Sequence, residues 1–118
     1  MNRLRSVALW VLQFLLAALF AIQGIVKLNG SLAWISRFRA WGYPDHFYFA
    51  VGLAELVGSV LFLIPRLVKF GALLLIVIMV GATATHFLHG EPQVRTTLVL
   101  LALLALVLYL RRSPDVTA

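Results

Sequence analysis

The residue with the clearest chemical potential is Glu55, a single carboxylate near the middle of the apolar run 46–64. Counted from His46, it lies roughly 14 Å along a helix, about half the thickness of the hydrocarbon core of a bilayer. A charge at that depth costs at least about 2.5–3.5 kcal/mol, so intramembrane acids usually face the protein interior and have a function. Glu55 is therefore predicted to be a ligand contact or a proton donor. The alternative is a hydrogen-bonded carboxyl that only fixes the register of its helix.

Three further side chains are candidates to act with Glu55. Lys27 is a cation on a facing helix, but at 1.5 Å per residue it is expected roughly 8 Å nearer the surface, so a direct salt bridge is not assumed. Gln23 is expected closer to the level of Glu55 and can donate a hydrogen bond to it. His86 falls late in the third apolar run. These residue types predict a polar site within an apolar protein.

The segments that must position these residues are long and apolar. Of the 118 residues, 63% are hydrophobic and 12% are charged, whereas soluble domains average about 45–50% apolar and 25% charged. This predicts an all-α integral membrane protein, a four-helix bundle in which residues 1–118 form a single four-span domain. The predicted spans are 6–29, 46–64, 67–89 and 94–110, each long enough to cross a bilayer as a helix. The first run is longer than a signal-peptide core and is interpreted as a span.

The net charge of +6 does not indicate nucleic-acid binding, because no basic stripe is interleaved with aromatic residues on a polar face. Most basic residues instead lie at the ends of apolar runs. Six of the ten Lys and Arg residues fall at the termini and in the second loop, and four fall on the opposite side. The positive-inside rule then predicts both termini in the cytoplasm of a bacterial cell, with the chain in its cytoplasmic (inner) membrane. The chain has no cysteine, which excludes disulfides and thiolate metal sites.

Residues 30–44 are too short and too charged to span a membrane. Trp34, Ile35, Phe38 and Trp41 recur at helical spacing, which predicts a short amphipathic interfacial segment between spans 1 and 2. Its aromatic face is interpreted either as an interface anchor or as a lid over a cavity that opens outward.

Helical periodicity predicts an interior face for each span. For the first three spans these faces are Gln13, Ala17, Phe20, Gly24 and Lys27; Asp45, Tyr48, Gly52, Glu55, Ser59 and Phe62; and Gly71, Leu75, Ile78, Ala82, Thr85 and His89. The fourth span offers Ala102, Ala105 and Tyr109 and is interpreted as structural. Nearly all the polar residues lie in the outer half, which predicts a cup that is closed at mid-membrane and open to the non-cytoplasmic side.

Several short motifs, taken in order, resemble the DoxX-like membrane proteins. They are F-x-x-x-G-x-x-K at Phe20, Gly24 and Lys27, G-x-P at Gly42 and Pro44, and G-x-x-E-x-x-G at Gly52, Glu55 and Gly58, followed by His86. The resemblance covers nearly the whole chain. It implies a site at Lys27, Glu55 and His86 and helix-packing positions at the three glycines 24, 52 and 58. Namesakes of the family are associated with a thiosulfate:quinone oxidoreductase, and relatives occur beside redox proteins or assist the assembly of other membrane proteins.

The cup and the resemblance together favour a membrane subunit or accessory of a redox system that binds a quinone or similar lipophilic ligand. The predicted ligand-binding residues are Glu55, Lys27, His86, Gln23, Tyr48 and Trp41. No intrinsic cofactor is expected, and whether the chain is an enzyme is left open. His86 and His89 with His46 or Asp45 could bind a metal, but interfacial histidines are usually amphipathic surface residues, so no metal site is predicted.

Two other functions remain as alternatives. One is a non-enzymatic assembly or scaffold protein for a larger membrane complex, and the less favoured one is a small proton-coupled transporter. Because so small a bundle buries little surface, the expected partners besides the lipid bilayer are further copies of the chain or the subunits of a larger membrane complex.

Overall fold

The structure, a computed structural model, describes residues 2–112 and contains, within that range, five α-helices and no strand. They are α1 (Arg3–Leu28), α2 (Leu32–Ala40), α3 (Phe47–Leu63), α4 (Val68–Leu88) and α5 (Val94–Leu110). The predicted all-α class is confirmed, and the predicted apolar segments match α1, α3, α4 and α5 to within three residues at each end. Met1 and residues 113–118, which the predicted domain includes, lie outside the described residues.

Length and composition identify two candidate membrane spans, α1 and α4, rather than the four that were predicted. The apolar helices α3 and α5 have only 17 residues each. At 1.5 Å per residue such a helix is about 26 Å long, at the short end of what a hydrocarbon core of about 30 Å requires.

The helix ends follow from local sequence. Asn2 caps α1, because its side-chain oxygen accepts a hydrogen bond of 2.7 Å from the backbone N–H of Arg5. Pro65 terminates α3, since the residue before a proline avoids the helical region and Ile64 is accordingly extended. The next helix, α4, begins three residues after this proline, which forms a tight hairpin between α3 and α4.

The four longer helices pack in chain order, α1 on α3, α3 on α4 and α4 on α5, while α1 and α5 hardly approach one another at the backbone. Glycines permit the closest approaches. A Cβ on Gly24 would lie 2.6 Å from the carbonyl oxygen of Gly52, and a Cβ on Gly71 would lie 2.5 Å from the backbone nitrogen of Phe62. Such close crossings need residues without side chains. We call the end of the helices where α2 lies the α2 end, and the other end, where α5 finishes, the Arg111 end.

The predicted interior face of α1 is confirmed, since all five of its residues are buried. In α3, the buried residues are Gly52, Glu55, Gly58, Ser59 and Phe62. Asp45 does not continue this face, because the chain turns through His46 at a φ of 68° before the helix begins at Phe47. Tyr48, in the first turn of α3, is half-buried. In α4, Gly71, Leu75, Thr85 and His86 are buried, but His89 is exposed.

The predicted interior face of α5 is wrong. Ala102, Ala105 and Tyr109 are exposed, and Thr97, Leu104 and Val107 are buried instead. The helix is apolar on nearly every side, so periodicity does not distinguish the side that meets α4. The larger aliphatic side chains provide the contact area there, and the small ones face outward.

Candidate functional site: an ionic cavity at the α2 end

Lys27 and Glu55 form a buried ion pair with 2.6 Å between Nζ and Oε1. Lys27 is 4% exposed and Glu55 is 2% exposed. The direct salt bridge, which was not assumed from the sequence, is therefore present, and the expected offset of roughly 8 Å between the two residues is too large. Leu28, the last residue of α1, lies beside Gly52, so α3 projects beyond the end of α1 by several residues. Lys27 therefore faces a position only three residues before Glu55, a difference of about 4.5 Å along the axis.

Trp34 of α2 packs against this ion pair. Lys27 Nζ lies 4.0 Å from the centroid of the Trp34 ring, and the Arg37 guanidinium lies 4.9 Å from the same centroid. Cation–π contacts of this kind are worth roughly 0.5–2 kcal/mol. They tie the predicted amphipathic segment to α1, so α2 lies across the helix ends next to the ion pair.

A cavity of about 260 Å³ opens beside the ion pair, on the side where α1 and α5 stay apart. Its polar lining consists of Gln23, Lys27, Trp34, Arg37, Glu55, His86, Gln93, Thr96 and Thr97, and its apolar lining of Leu19, Phe20, Met79 and Leu100. We call it the ionic cavity. Oε2, the second carboxylate oxygen of Glu55, makes no hydrogen bond within residues 2–112. The ion pair thus borders open space and is not enclosed by packed side chains.

His86 is held at the wall of this cavity by the turn that ends α4. Gly90 has a φ of 65°, and the N–H groups of Gly90 and Glu91 donate to the carbonyls of Phe87 and His86 at 3.2 and 2.9 Å. This is the Schellman pattern, which favours glycine at the left-handed position. The turn returns the Glu91 side chain to the helix, where Oε1 lies 2.7 Å from His86 Nδ1. That hydrogen bond is the main cause that holds the pKa of Glu91 below its ordinary value of 4.5.

A second cavity, of about 270 Å³, lies on the other side of His86. It is lined by Phe38, Trp41, Tyr43, Phe47, Val51, Val77, Ile78, Gly81, Ala82, Thr85 and His86, and we call it the aromatic cavity. Trp41 Nε1 points to Glu91 Oε2 over 3.4 Å, and its ring meets His86 edge-on with 5.4 Å between centroids. The Tyr43 and Thr85 hydroxyls hydrogen-bond to each other. Most polar groups that line the aromatic cavity are therefore already hydrogen-bonded within the chain.

The Arg111 end contains a buried polar cluster that periodicity did not reveal. Gln13 Nε2 donates to the Phe62 carbonyl at 3.0 Å, one of the carbonyls that the end of α3 leaves without a helical partner. Gln13 Oε1 accepts a hydrogen bond of 2.8 Å from Nε of Arg111. Arg111 is 0% exposed, and its guanidinium lies 4.5 Å from the centroid of the Trp10 ring. This cluster ties α1 to the end of α5.

The sequence model of the DoxX-like family matches residues 11–110, a range that contains every residue lining the ionic cavity. The chain belongs to the DoxX-like family. A comparison with curated proteins found no match, and neither did a comparison with solved structures. Together, the family and the apolar helices indicate that this DoxX-like chain is a small membrane protein.

The six residues predicted to bind a ligand in the DoxX-like chain do not all line the same cavity. The ionic cavity brings together Gln23, Lys27, Glu55 and His86. Trp41 adjoins them through His86 and lines the aromatic cavity. Tyr48 lies apart, in a groove of about 220 Å³ that it shares with Asp45 and His46.

Sequence reasoning did not assign Arg37 or the start of α5 to the site of the DoxX-like chain. Gln93, Thr96 and Thr97 all line the ionic cavity. The sequence contains a signal for this, because these three polar residues cluster at the start of the last apolar run. Within residues 2–112, no group of three or more His, Cys, Asp or Glu side chains is arranged to hold a metal.

Proposed function

We propose that this chain is a membrane subunit or accessory of a redox system and that its ionic cavity binds the head group of a quinone or similar lipophilic molecule. The observation that carries this proposal is the buried Lys27–Glu55 pair beside a cavity that His86 also lines. Burying two charges costs several kcal/mol per ion even after relaxation. A purely structural pair is expected to be enclosed by packed side chains, whereas this one borders space that a ligand can occupy.

The size and chemistry of the cavity support a ligand with a small polar head. Ligand pockets typically measure about 300–1,000 Å³, and the ionic cavity, at about 260 Å³, suits a single ring with its apolar tail leaving between α1 and α5. Lys27 and Gln23 can donate hydrogen bonds to ring oxygens, and Glu55 and His86 can exchange protons with them. Since the chain has no cysteine, the electrons are proposed to come from a partner or a second bound molecule.

We further propose that α1, α3, α4 and α5 all cross a bacterial cytoplasmic membrane, with both termini in the cytoplasm and the α2 end on the other side. Exposed large apolar residues along these helices support contact with lipid; examples are Phe14, Leu53, Val77 and Leu98. The absence of native cysteine permits a direct check with a membrane-impermeant maleimide. In intact cells, Ser36→Cys should be labelled and Arg66→Cys should be labelled only after permeabilisation. The reverse pattern would contradict the orientation.

The ligand proposal is tested by the binding of a short-chain hydroquinone, the reduced form of such a quinone, to the protein in lipid nanodiscs, because its hydroxyls can donate to Glu55 and to His86. Glu55→Gln and His86→Ala should each weaken binding by about tenfold, equivalent to about 1.4 kcal/mol for a lost hydrogen bond. Asp45→Asn makes the same acid-to-amide change outside the cavity, and His89→Ala removes an exposed histidine just after the end of the same helix. Both controls should bind as the wild type does. Unchanged affinity in Glu55→Gln and His86→Ala would overturn the proposal.

One observation favours a second candidate function, that of an assembly or scaffold protein for a larger membrane complex. On α4 and α5, the exposed surface includes the small residues Gly81, Ala84, Ala102 and Ala105. In membranes, small residues let neighbouring helices approach closely. This function predicts a co-purifying membrane partner, or further copies of the chain, whose binding is lost in Ala105→Leu but retained in Glu55→Gln. Purification in mild detergent as a lone monomer would count against it.

A further inference from the structure

We propose that Glu91 is a positioning residue that holds His86 in one tautomer, so that the ionic cavity prefers a ligand whose polar group is a hydroxyl donor. The inference rests on the proposed function and names the chemical class of the ligand more narrowly. It predicts a phenol or hydroquinone in preference to the corresponding quinone or ether.

The tautomer follows from the partner of Nδ1. An ionised carboxylate has no hydrogen to donate, so the 2.7 Å contact between Glu91 Oε1 and His86 Nδ1 requires the hydrogen on Nδ1. The indole nitrogen of Trp41 is a donor only, and it points to the other oxygen of the same carboxylate. Both oxygens of Glu91 therefore act as acceptors. A neutral imidazole with its hydrogen on Nδ1 presents Nε2 as an acceptor.

The available nitrogen, Nε2, makes no hydrogen bond within residues 2–112. His86 is 8% exposed and lines both cavities. An acceptor nitrogen at a cavity wall is stabilised by a donor that enters the cavity. A ligand hydroxyl supplies that donor, whereas a ketone or ether oxygen places a second acceptor against the first. Sites built to hydrogen-bond a hydroxyl reject analogues that lack it.

The position of Glu91 is set by the backbone. The Schellman turn at Gly90 places Glu91 beside His86 through main-chain hydrogen bonds, which a change of the Glu91 side chain leaves in place. Glu91→Gln is therefore a matched variant, since it keeps the size of the side chain and removes the charge. An amide can donate to Nδ1 as well as accept from it, so the tautomer is no longer determined.

The first test is ¹⁵N NMR of histidine-labelled protein in nanodiscs, at a pH where His86 is neutral. His46→Gln and His89→Gln identify the His86 signals. We expect the hydrogen on Nδ1 in the wild type and a shift toward the Nε2–H form in Glu91→Gln. A wild-type ring with its hydrogen on Nε2 would overturn the inference, and this result does not depend on any ligand or on how well the variant folds.

The second test compares a short-chain hydroquinone with its dimethyl ether. The wild type should bind the hydroquinone about tenfold more tightly, Glu91→Gln should lose that preference, and His89→Ala should keep it. Equal binding of the two compounds by the wild type would overturn the hydroxyl preference while leaving the proposed function in place. If neither compound nor the quinone binds, the proposed function and the preference both fail, and the NMR result alone decides the positioning role.

Discussion

The two ends of the molecule bury polar groups in different ways. At the Arg111 end, Gln13, Arg111 and the Phe62 carbonyl hydrogen-bond in series. None of these three residues lines the two surface grooves at that end. At the α2 end, the Lys27–Glu55 pair borders an open cavity. One cluster ties α1 to α5, and the other lies where these helices stay apart. Polar groups that hold the helices together therefore lie at the Arg111 end, and polar groups that can meet a ligand lie at the α2 end.

The largest effect is expected from breaking the ion pair on one side only. Lys27→Met leaves Glu55 buried without its cation, which should destabilise the protein by about 3–5 kcal/mol. The double variant Lys27→Met with Glu55→Gln removes both charges and should recover most of that loss. Unfolding by SDS in mixed micelles measures both values. A single variant as stable as the wild type would show that water or other groups satisfy Glu55.

The glycine crossing that aligns the ion pair provides the next prediction. A Cβ on Gly24 would overlap the Gly52 carbonyl, so Gly24→Ala should cost about 1–3 kcal/mol through overpacking and should also weaken ligand binding. Gly81→Ala is the matched control, since a Cβ there meets nothing within 4 Å. It should be neutral or slightly stabilising. Equal stability of the two variants would contradict the close α1–α3 approach.

The cluster at the Arg111 end should affect stability without affecting ligand binding. Gln13→Leu removes the hydrogen bonds to the Phe62 carbonyl and to Arg111, at a cost of about 1–3 kcal/mol. Hydroquinone affinity in nanodiscs should stay at the wild-type value. Weaker binding in Gln13→Leu, measured at a temperature where the variant is folded, would mean that the two ends are coupled.

The smallest expected effect is a pH dependence at Glu91. The pKa of Glu91 is depressed in the folded state, so the contact with His86 stabilises the protein fully at pH values above 4.5, the ordinary pKa of this group. That contribution is lost as the pH falls from 4.5 through the folded-state pKa. The melting temperature of the wild type should therefore fall more steeply over this acid range than that of Glu91→Gln. Parallel curves for the two proteins would contradict the contact.

The sequence predicts the molecule best where polar residues mark a helix face. In α1, Gln13 and Lys27 are polar residues within an otherwise apolar run, and the helix face that they share is buried along its whole length. In α5 the apolar residues are nearly uniform, and the predicted face is wrong. The Schellman turn can be predicted from local sequence, because Gly90 and Glu91 follow His86 at the spacing that such a turn requires.

The axial offset between two packed helices is harder to predict from sequence, because it depends on the residues at which they cross. Periodicity places Lys27 and Glu55 on facing sides but does not reveal that α3 projects beyond α1. The Gly24–Gly52 approach determines this offset and brings the charges together. The burial of Arg111 was also missed, since a basic residue at the end of an apolar run equally indicates membrane topology.

Photoaffinity labelling tests the central claim most directly. An azido-hydroquinone with a short tail, activated on the protein in nanodiscs, should attach to the lining of the ionic cavity, within residues 19–27 of α1 and 93–100 at the start of α5. Excess unlabelled hydroquinone should prevent that attachment, and Glu55→Gln should reduce it while Asp45→Asn does not. Labelling spread over the exposed apolar residues, with no competition and no dependence on Glu55, would contradict a ligand site in the ionic cavity.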